Sequence, residues 1–305
     1  MQEFNYVREE FGAGMNEDEE IIEKYLRAGK ILSEVRAETV NKVAKGVTLL
    51  SVAEFAENLI LEKGGNPAFP VNISRNDEAA HSTPTFDDKS VFGKDMVKLD
   101  IGVHIDGYIA DTAVTVDLSG HPELVKASEK ALNDAIKFIH AGVNTADIGG
   151  VIETAITSFG YKPIINLTGH GLAQYIQHAP PAIPNKKMPH GVVLEEGDII
   201  AIEPFATDGI GKIYDAGNAE IYHLVSEKPV RLPSARKLLE KIVEYKTLPF
   251  AKRWLGANVD FAMLALVKAN IIQPYPILKE EAGGLISQAE HTVIVTADGC
   301  EVVTK

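Results

Sequence analysis

The sequence predicts an α+β fold: a mostly antiparallel, curved sheet flanked by helices, with a helical insertion late in the chain. Three observations carry that prediction. Residues Val97–Val116 (VKLDIGVHIDGYIADTAVTV) form two apolar runs around Asp106-Gly107, a dipeptide suited to a tight hairpin turn. The helical stretches do not alternate with single strands, as a regular βαβ sheet requires. From about residue 229 the character turns helical, and strand-like sequence resumes at about 285.

Taken in order, Asn16 with Glu19 resembles a capping box, and Ile22, Leu26, Gly29, Leu32 and Val35 follow at helical spacing. A long amphipathic helix to about Ala44 is expected. Ser51-Val52-Ala53-Glu54 is a second start signal, for a helix that runs to about Lys63 and stops at Gly64-Gly65. Residues 66–80 are turn-rich, with Pro67 and Pro70, and lead to His81. After the hairpin, Pro122 suits the first turn of a helix ending near Ala141-Gly142. A further helix spans about Ala146–Phe159 and closes at Gly160. Residues 164–167, 198–206 and 219–225 read as strands. Residues 234–245 are strongly helical, 250–255 and 261–269 read as short helices, and Pro274-Tyr275-Pro276 ends that stretch. Residues 290–296 read as a strand. The expected organisation is one domain of residues 1–228 and 285–305, with 229–284 inserted; a small linked domain is the alternative.

Composition excludes several classes. The 305 residues, 45% of them hydrophobic, allow one large or two ordinary domains. Thirty basic against 43 acidic residues give a net charge of −13, which argues against general nucleic-acid binding. The single cysteine, Cys300, leaves no disulfide within the chain and no Cys-based zinc site. No apolar run approaches the roughly 18 residues of a membrane helix. The N-terminus lacks the basic start and apolar run of a signal peptide. A cytoplasmic protein without membrane contact is expected.

The hairpin poses a chemical problem. Asp100 and Asp111 stand where core strands are normally apolar. With Asp106-Gly107 as a two-residue turn, Asp100 faces Ala113 and Gly102 faces Asp111, so the carboxylates are diagonal neighbours. A slip of one residue makes them direct partners. Either register puts both on one face, about 5–8 Å apart at Cβ. Two buried like charges at that separation need a proton or a cation between them.

Other residues answer. His170 lies between Gly169 and Gly171; alone it reads as a turn histidine, but its neighbours permit unusual backbone angles. Glu203 ends the apolar run before Pro204, and Glu290 precedes HTVIVT; alone, each reads as a strand-end charge. Together, two Asp, one His and two Glu form a hard-to-borderline donor set for two divalent cations. The imidazole favours manganese, iron, cobalt or zinc over calcium. Such a centre could activate a shared water and polarise a carbonyl. His81 and His178 are placed to hydrogen-bond a substrate amide or move a proton. The remaining histidines, His223 among them, have no comparable motif, and His291 would point to the opposite face from Glu290.

This pattern resembles the five-ligand signature of the pita-bread metallopeptidases, and within them methionine aminopeptidase of type II. The resemblance rests on Asp100 and Asp111, Gly169-His170, Ile202-Glu203-Pro204 and Glu290-His291-Thr292. The stretch between Glu203 and Glu290 carries Thr247-Leu248-Pro249-Phe250, Arg253-Trp254-Leu255 and Pro274-Tyr275-Pro276, which resemble that subtype's winged-helix-like insertion. The resemblance implies removal of the initiator methionine from nascent chains when the second residue is small, by a hydroxide shared between two metals. It implies that Asp100 chelates one metal, Asp111 and Glu290 bridge, and His170 and Glu203 complete the other. Glu203 would carry a proton, and His81 and His178 would contact the substrate. Phe69, Tyr275 and Leu278, with Pro249 nearby, would form the methionine pocket. Gln177 departs from relatives that often have an aliphatic residue there. The form without a charged N-terminal extension is closest to archaeal versions. A monomer with at most transient ribosome contact is expected. An aminopeptidase P or prolidase, a metal-free binding relative and an unrelated acidic domain are the rival readings.

Overall fold

The computed structural model describes residues 17–305. Asn16, half of the first capping box, lies outside them. Helix α1 spans Glu17–Val40, shorter than the sequence suggests, and buries Ile31, Leu32 and Val35. Helix α2, Leu49–Glu62, begins two residues before Ser51. Its cap is Thr48, whose hydroxyl accepts from Ser51 N, so Ser51 is inside the helix and not its cap. The earlier start puts Leu49 into the core, at 5% exposure.

The predicted hairpin is present, with strands Met96–Ile105 and Tyr108–Asp117. Asp106 and Gly107 take φ of 51° and 90°, the left-handed region that a type I′ turn requires. The unslipped register holds: Asp100 pairs with Ala113 and Gly102 with Asp111. On the other edge Asn72–Arg75 pairs with the first hairpin strand, placing Asn72 opposite Asp100. Val97, Leu99, Ile101 and Val103 pack under α1 and α2. Side chains alternate along a strand, so Lys98, Asp100 and Gly102 face away from those helices.

The second half mirrors this logic. Helices α3, Pro122–Phe138, and α4, Thr145–Thr157, cover a five-stranded antiparallel sheet. Its strand order is Cys300–Val302, His291–Val295, Ile199–Ile202, Thr168–Ala173, Ile176–Pro184. Ile200, Ile202, Val293 and Val295 pack under the helices. Alternation therefore turns Ala201, Glu203, Glu290 and Thr292 to the opposite face.

The halves meet where the outer hairpin strand runs along residues 288–292. Glu290 N donates to Ala113 O at 3.0 Å. Two residues to either side, hydroxyls replace direct ladder bonds. Thr292 Oγ1 accepts from Asp111 N and donates to Asp111 O, and Thr115 Oγ1 does the same with Gln288. Helices thus lie outside, and two ligand-bearing sheet faces share one side.

The insertion has its own core of Leu238, Ile242, Phe250, Met263, Leu266 and Ile272. Helices α5, Pro233–Ile242, and α6, Asp260–Lys268, pack with a small sheet of Ile221–Leu224 between Phe250–Ala251 and Ile272–Tyr275. Residues 250–255 are not a plain helix: a two-residue strand leads into a 3₁₀ turn, Lys252–Leu255. Pro274 does not end the element either. It sits in an edge strand, where a missing N–H leaves no broken ladder bond. The small sheet starts ahead of residue 229, and Leu278–Glu280 pairs with Ile213–Asp215 before residue 285.

Candidate metal centre

Strand register brings the five expected ligands together in two rows. One row runs Gly102, Asp111, Thr292, Ala201, His170 across five adjacent strands. The next runs Asn72, Asp100, Ala113, Glu290. Glu203 extends it, because Ala289 N bonds Pro204 O and so continues the register in which His291 faces Ile202. Asp111 and His170 come from the first row, Asp100, Glu290 and Glu203 from the second. All project from one face.

Ligand atoms of Asp111, His170 and Glu290 lie within 4.8 Å of one another, as do those of Asp100, Glu203 and Glu290. Bonds of about 2.0–2.3 Å to a central ion produce separations of that size. Glu290 belongs to both groups. Glu203, expected beside His170, here clusters with Asp100.

Four features fit this set to cations. Asp100 Oδ1, Asp111 Oδ1 and both Glu290 oxygens are buried without a hydrogen-bond partner. A native interior rarely leaves such atoms orphaned. Among the described residues no Lys or Arg is ion-paired with any of the four carboxylates. Burial, opposed by a bond from Gln288, raises Asp100 from 3.8 to about 7. Burial first, then the neighbouring carboxylates, pushes Asp111, Glu203 and Glu290 well above their ordinary values.

His170 is held neutral: burial, then the neighbouring His178, lowers it to about 3. Its Nδ1 lies 3.1 Å from Gly171 O, an acceptor only, which assigns the ring proton to Nδ1. Nε2 then keeps its lone pair and lies 3.8 Å from Asp111 Oδ2. That is the tautomer of a metal ligand oriented by a backbone carbonyl. Gly169 and Gly171 are required by packing: a Cβ would stand 2.3 Å from Ala201 O at the first and 2.1 Å from Pro180 O at the second.

Above this floor is a cavity of about 310 Å³, lined among others by Phe69, His81, His178, Pro249 and Tyr275. His81 has φ of 64°, places Nδ1 3.2 Å from Pro276 O, and packs edge-on to Tyr275 at 5.1 Å. Burial, then His178, lowers its pKa to about 4, so it is neutral with Nε2 free to accept. His178 is open to the cavity; its ring stands 4.7 Å from that of His170, and its pKa too is lowered, by the surrounding protein and by His223. Leu278 does not line the cavity. It pairs with Ala80 and packs with Phe205, both of which do, so it backs the wall.

Apart from Gln177, the further residues that shape the site have no distinguishing motif. Gln288 Nε2 donates to Glu203 Oε1 at 2.8 Å and to Asp100 Oδ2 at 3.3 Å. Gln177 bonds Asp111 Oδ2 at 3.4 Å, which accounts for a polar residue at that position. Asn72 lines the cavity. His223 stands 4.8 Å from Tyr275 with a buried, unpartnered Nδ1; its place in a strand two residues from the lining Ile221 is the only signal that could have found it. His291 bonds Thr304 and Arg36, away from the centre.

A buried carboxylate and imidazole cluster beneath a cavity defines a metal-dependent enzyme built on a split antiparallel sheet. The chain belongs to metallopeptidase family M24, whose pattern matches residues 23–297. It is 53% identical over 290 residues to a methionine aminopeptidase of Archaeoglobus fulgidus, covering 94% of this chain and all of that one. It is 50% identical to that of Methanocaldococcus jannaschii, covering 93% of this chain and 98% of the relative. The crystal structure of methionine aminopeptidase from Thermotoga maritima superposes with a TM-score of 0.70 at 24% identity, covering 94% and 97%. The α+β pita-bread fold is thereby shared. Among the described residues no helix is long and apolar enough to cross a membrane.

Proposed function

We propose that this chain is a dinuclear methionyl aminopeptidase that releases the initiator methionine of nascent proteins when the second residue is small. One observation carries the reading: two rows of ligands converge on the floor of a cavity of about 310 Å³, walled by Phe69, Pro249 and Tyr275. A small, partly apolar pocket suits an unbranched thioether.

Asp100, Asp111, His170, Glu203 and Glu290 would hold two divalent ions, with Asp111 and Glu290 shared between them. Manganese, iron, cobalt and zinc suit one imidazole among four carboxylates. Bound metals would supply a nucleophilic water and polarisation of the scissile carbonyl. The chain's own groups do the rest. His81 and His178, both neutral at pH 7, hydrogen-bond the scissile amide and steady the developing oxyanion. Glu203 has a carboxylate anchored by Gln288, which suits it to accept a proton and pass it to the leaving amine. The substrate-bearing partner is a nascent polypeptide, met by a cytoplasmic monomer in transient contact with the ribosome.

The test is a peptide panel under manganese, iron and cobalt. Release of Met from Met-Ala-Ser with no cleavage of Ala-Pro-X, at about two metals per chain, is expected. Cleavage only before proline, or no activity under any metal, would overturn the reading.

A further inference from the structure

Asp111 and Glu290, the two carboxylates proposed above to be shared between the ions, lie on different halves of the molecule, and their backbones are joined by threonine hydroxyls. Thr292 Oγ1 accepts from Asp111 N at 2.8 Å and donates to Asp111 O at 2.9 Å. A hydroxyl has one proton, so that donor is fully used. Thr112 Oγ1 donates to Glu290 O at 2.8 Å and accepts from Arg36 Nη1 of α1 at 2.8 Å. Thr304 Oγ1 in turn accepts from Thr292 N at 3.1 Å. The hold is reciprocal: the neighbour of Asp111 fixes Glu290, and a residue two beyond Glu290 fixes Asp111. Thr112, Thr292 and Thr304 are fully buried. The two segments also bond directly once, Glu290 N to Ala113 O at 3.0 Å, so the hydroxyl links on either side of that bond fix how the two ligand-bearing strands lie against each other.

We propose that Thr292 and Thr112 are positioning residues that set the spacing of Asp111 and Glu290 and thereby the affinity for the second metal. The proposal rests on the dinuclear reading above. Neither hydroxyl touches substrate; each acts through a ligand's backbone. Thr207 supplies the control. It is equally buried, donates to Leu285 O at 2.7 Å and accepts from Gly209 N at 3.0 Å, but holds no ligand.

The experiment is a calorimetric titration of metal-free enzyme with manganese(II), paired with thermal melts without metal. Wild type should bind two ions. Thr292→Val should weaken the second by about tenfold or more, the range seen when a ligand's supporting hydrogen bond is removed. Its metal-free melting point should fall no further than that of Thr207→Val. Thr292→Ser, which restores the hydroxyl, should return to within about threefold of wild type, a small fraction of that range. Should Thr292→Val not fold, Thr112→Val carries the same expectation. Two ions bound by the Val variant at wild-type affinity, or equal weakening in Thr207→Val, would overturn the proposal and leave the dinuclear reading intact. A wild type that binds no second ion would remove both.

Discussion

The floor and the wall of the cavity are built by different means. The floor is a product of register. Asp100, Asp111 and His170 sit on strands, and Glu203 and Glu290 each adjoin a strand end, so alternation and pairing leave their side chains one direction to take. The wall is a product of packing between segments far apart in the chain: His81 follows a short strand, Phe69 precedes another, and Pro249 and Tyr275 arrive on the insertion. A buried ion pair ties the insertion down, Arg253 to Glu57 of α2, with Trp254 Nε1 donating to the same carboxylate at 2.8 Å. The difference teaches that metal binding and substrate binding should separate under mutation.

The largest effect should come from the floor. Glu290→Gln removes a carboxylate common to both ligand groups, and His170→Ala removes the only imidazole among them. Each should lose bound metal, measured by plasma emission, and activity by at least about a thousandfold; second-layer losses alone reach 10–100-fold. His121→Ala, at the exposed start of α3, should keep both. Equal behaviour of His170→Ala and His121→Ala would break the assignment of the floor.

The floor should also set how metal affects stability with pH. In the metal-free protein Asp100 is raised to about 7, and Asp111, Glu203 and Glu290 are raised as well. The unfolded chain gives up these protons near pH 4. The folded, metal-free chain keeps them, so it binds more protons than the unfolded chain above that point. Stability then falls as pH rises toward the raised values. Metal replaces the protons, so the gap in unfolding free energy between loaded and metal-free enzyme should widen from pH 4.5 to 7.5, by on the order of a few kcal/mol. A gap that stays constant would show that the four carboxylates are ionised without metal.

The wall should respond differently. His81→Ala and His178→Ala should each lower kcat about 100-fold or more while two metals stay bound, in the range of a lost proton-transfer or oxyanion contact. Phe69→Ala should instead raise KM for Met-Ala-Ser with a smaller change in kcat. Loss of metal in any of these would erase the distinction between floor and wall.

Register also explains how far the sequence could be read. Asp100 and Asp111 were conspicuous because a two-residue turn fixes which side chains face one another, and a carboxylate at a core position is chemically anomalous. The same local rule located Glu203 and Glu290 at strand ends. Cross-sheet arrangement was not local. Nothing near Thr292 shows that its hydroxyl closes on Asp111, 181 residues away. Nor does the sequence around Leu278 show whether it faces the cavity or backs the wall, because its strand pairs irregularly, with a register shift between Leu278 opposite Ala80 and Lys279 opposite Glu78. The start of α2 moved from Ser51 to Thr48 for a tertiary reason as well, the burial of Leu49.

The smallest effect should come where floor and wall touch. Gln177 lines the cavity yet gives its amide to Asp111 Oδ2 at a long 3.4 Å. That bond lowers the Asp111 pKa against the larger effect of burial. Gln177→Leu keeps the volume and widens the apolar wall, while removing one weak hydrogen bond to a charged group. Such a bond contributes about 1 kcal/mol or less at this length, so metal affinity should weaken by no more than about fivefold. KM for methionyl peptides should stay level or fall, because the added apolar surface faces the thioether. A loss of metal as complete as in His170→Ala would instead place Gln177 among the groups that build the floor, and the boundary between the two would have to be redrawn around it.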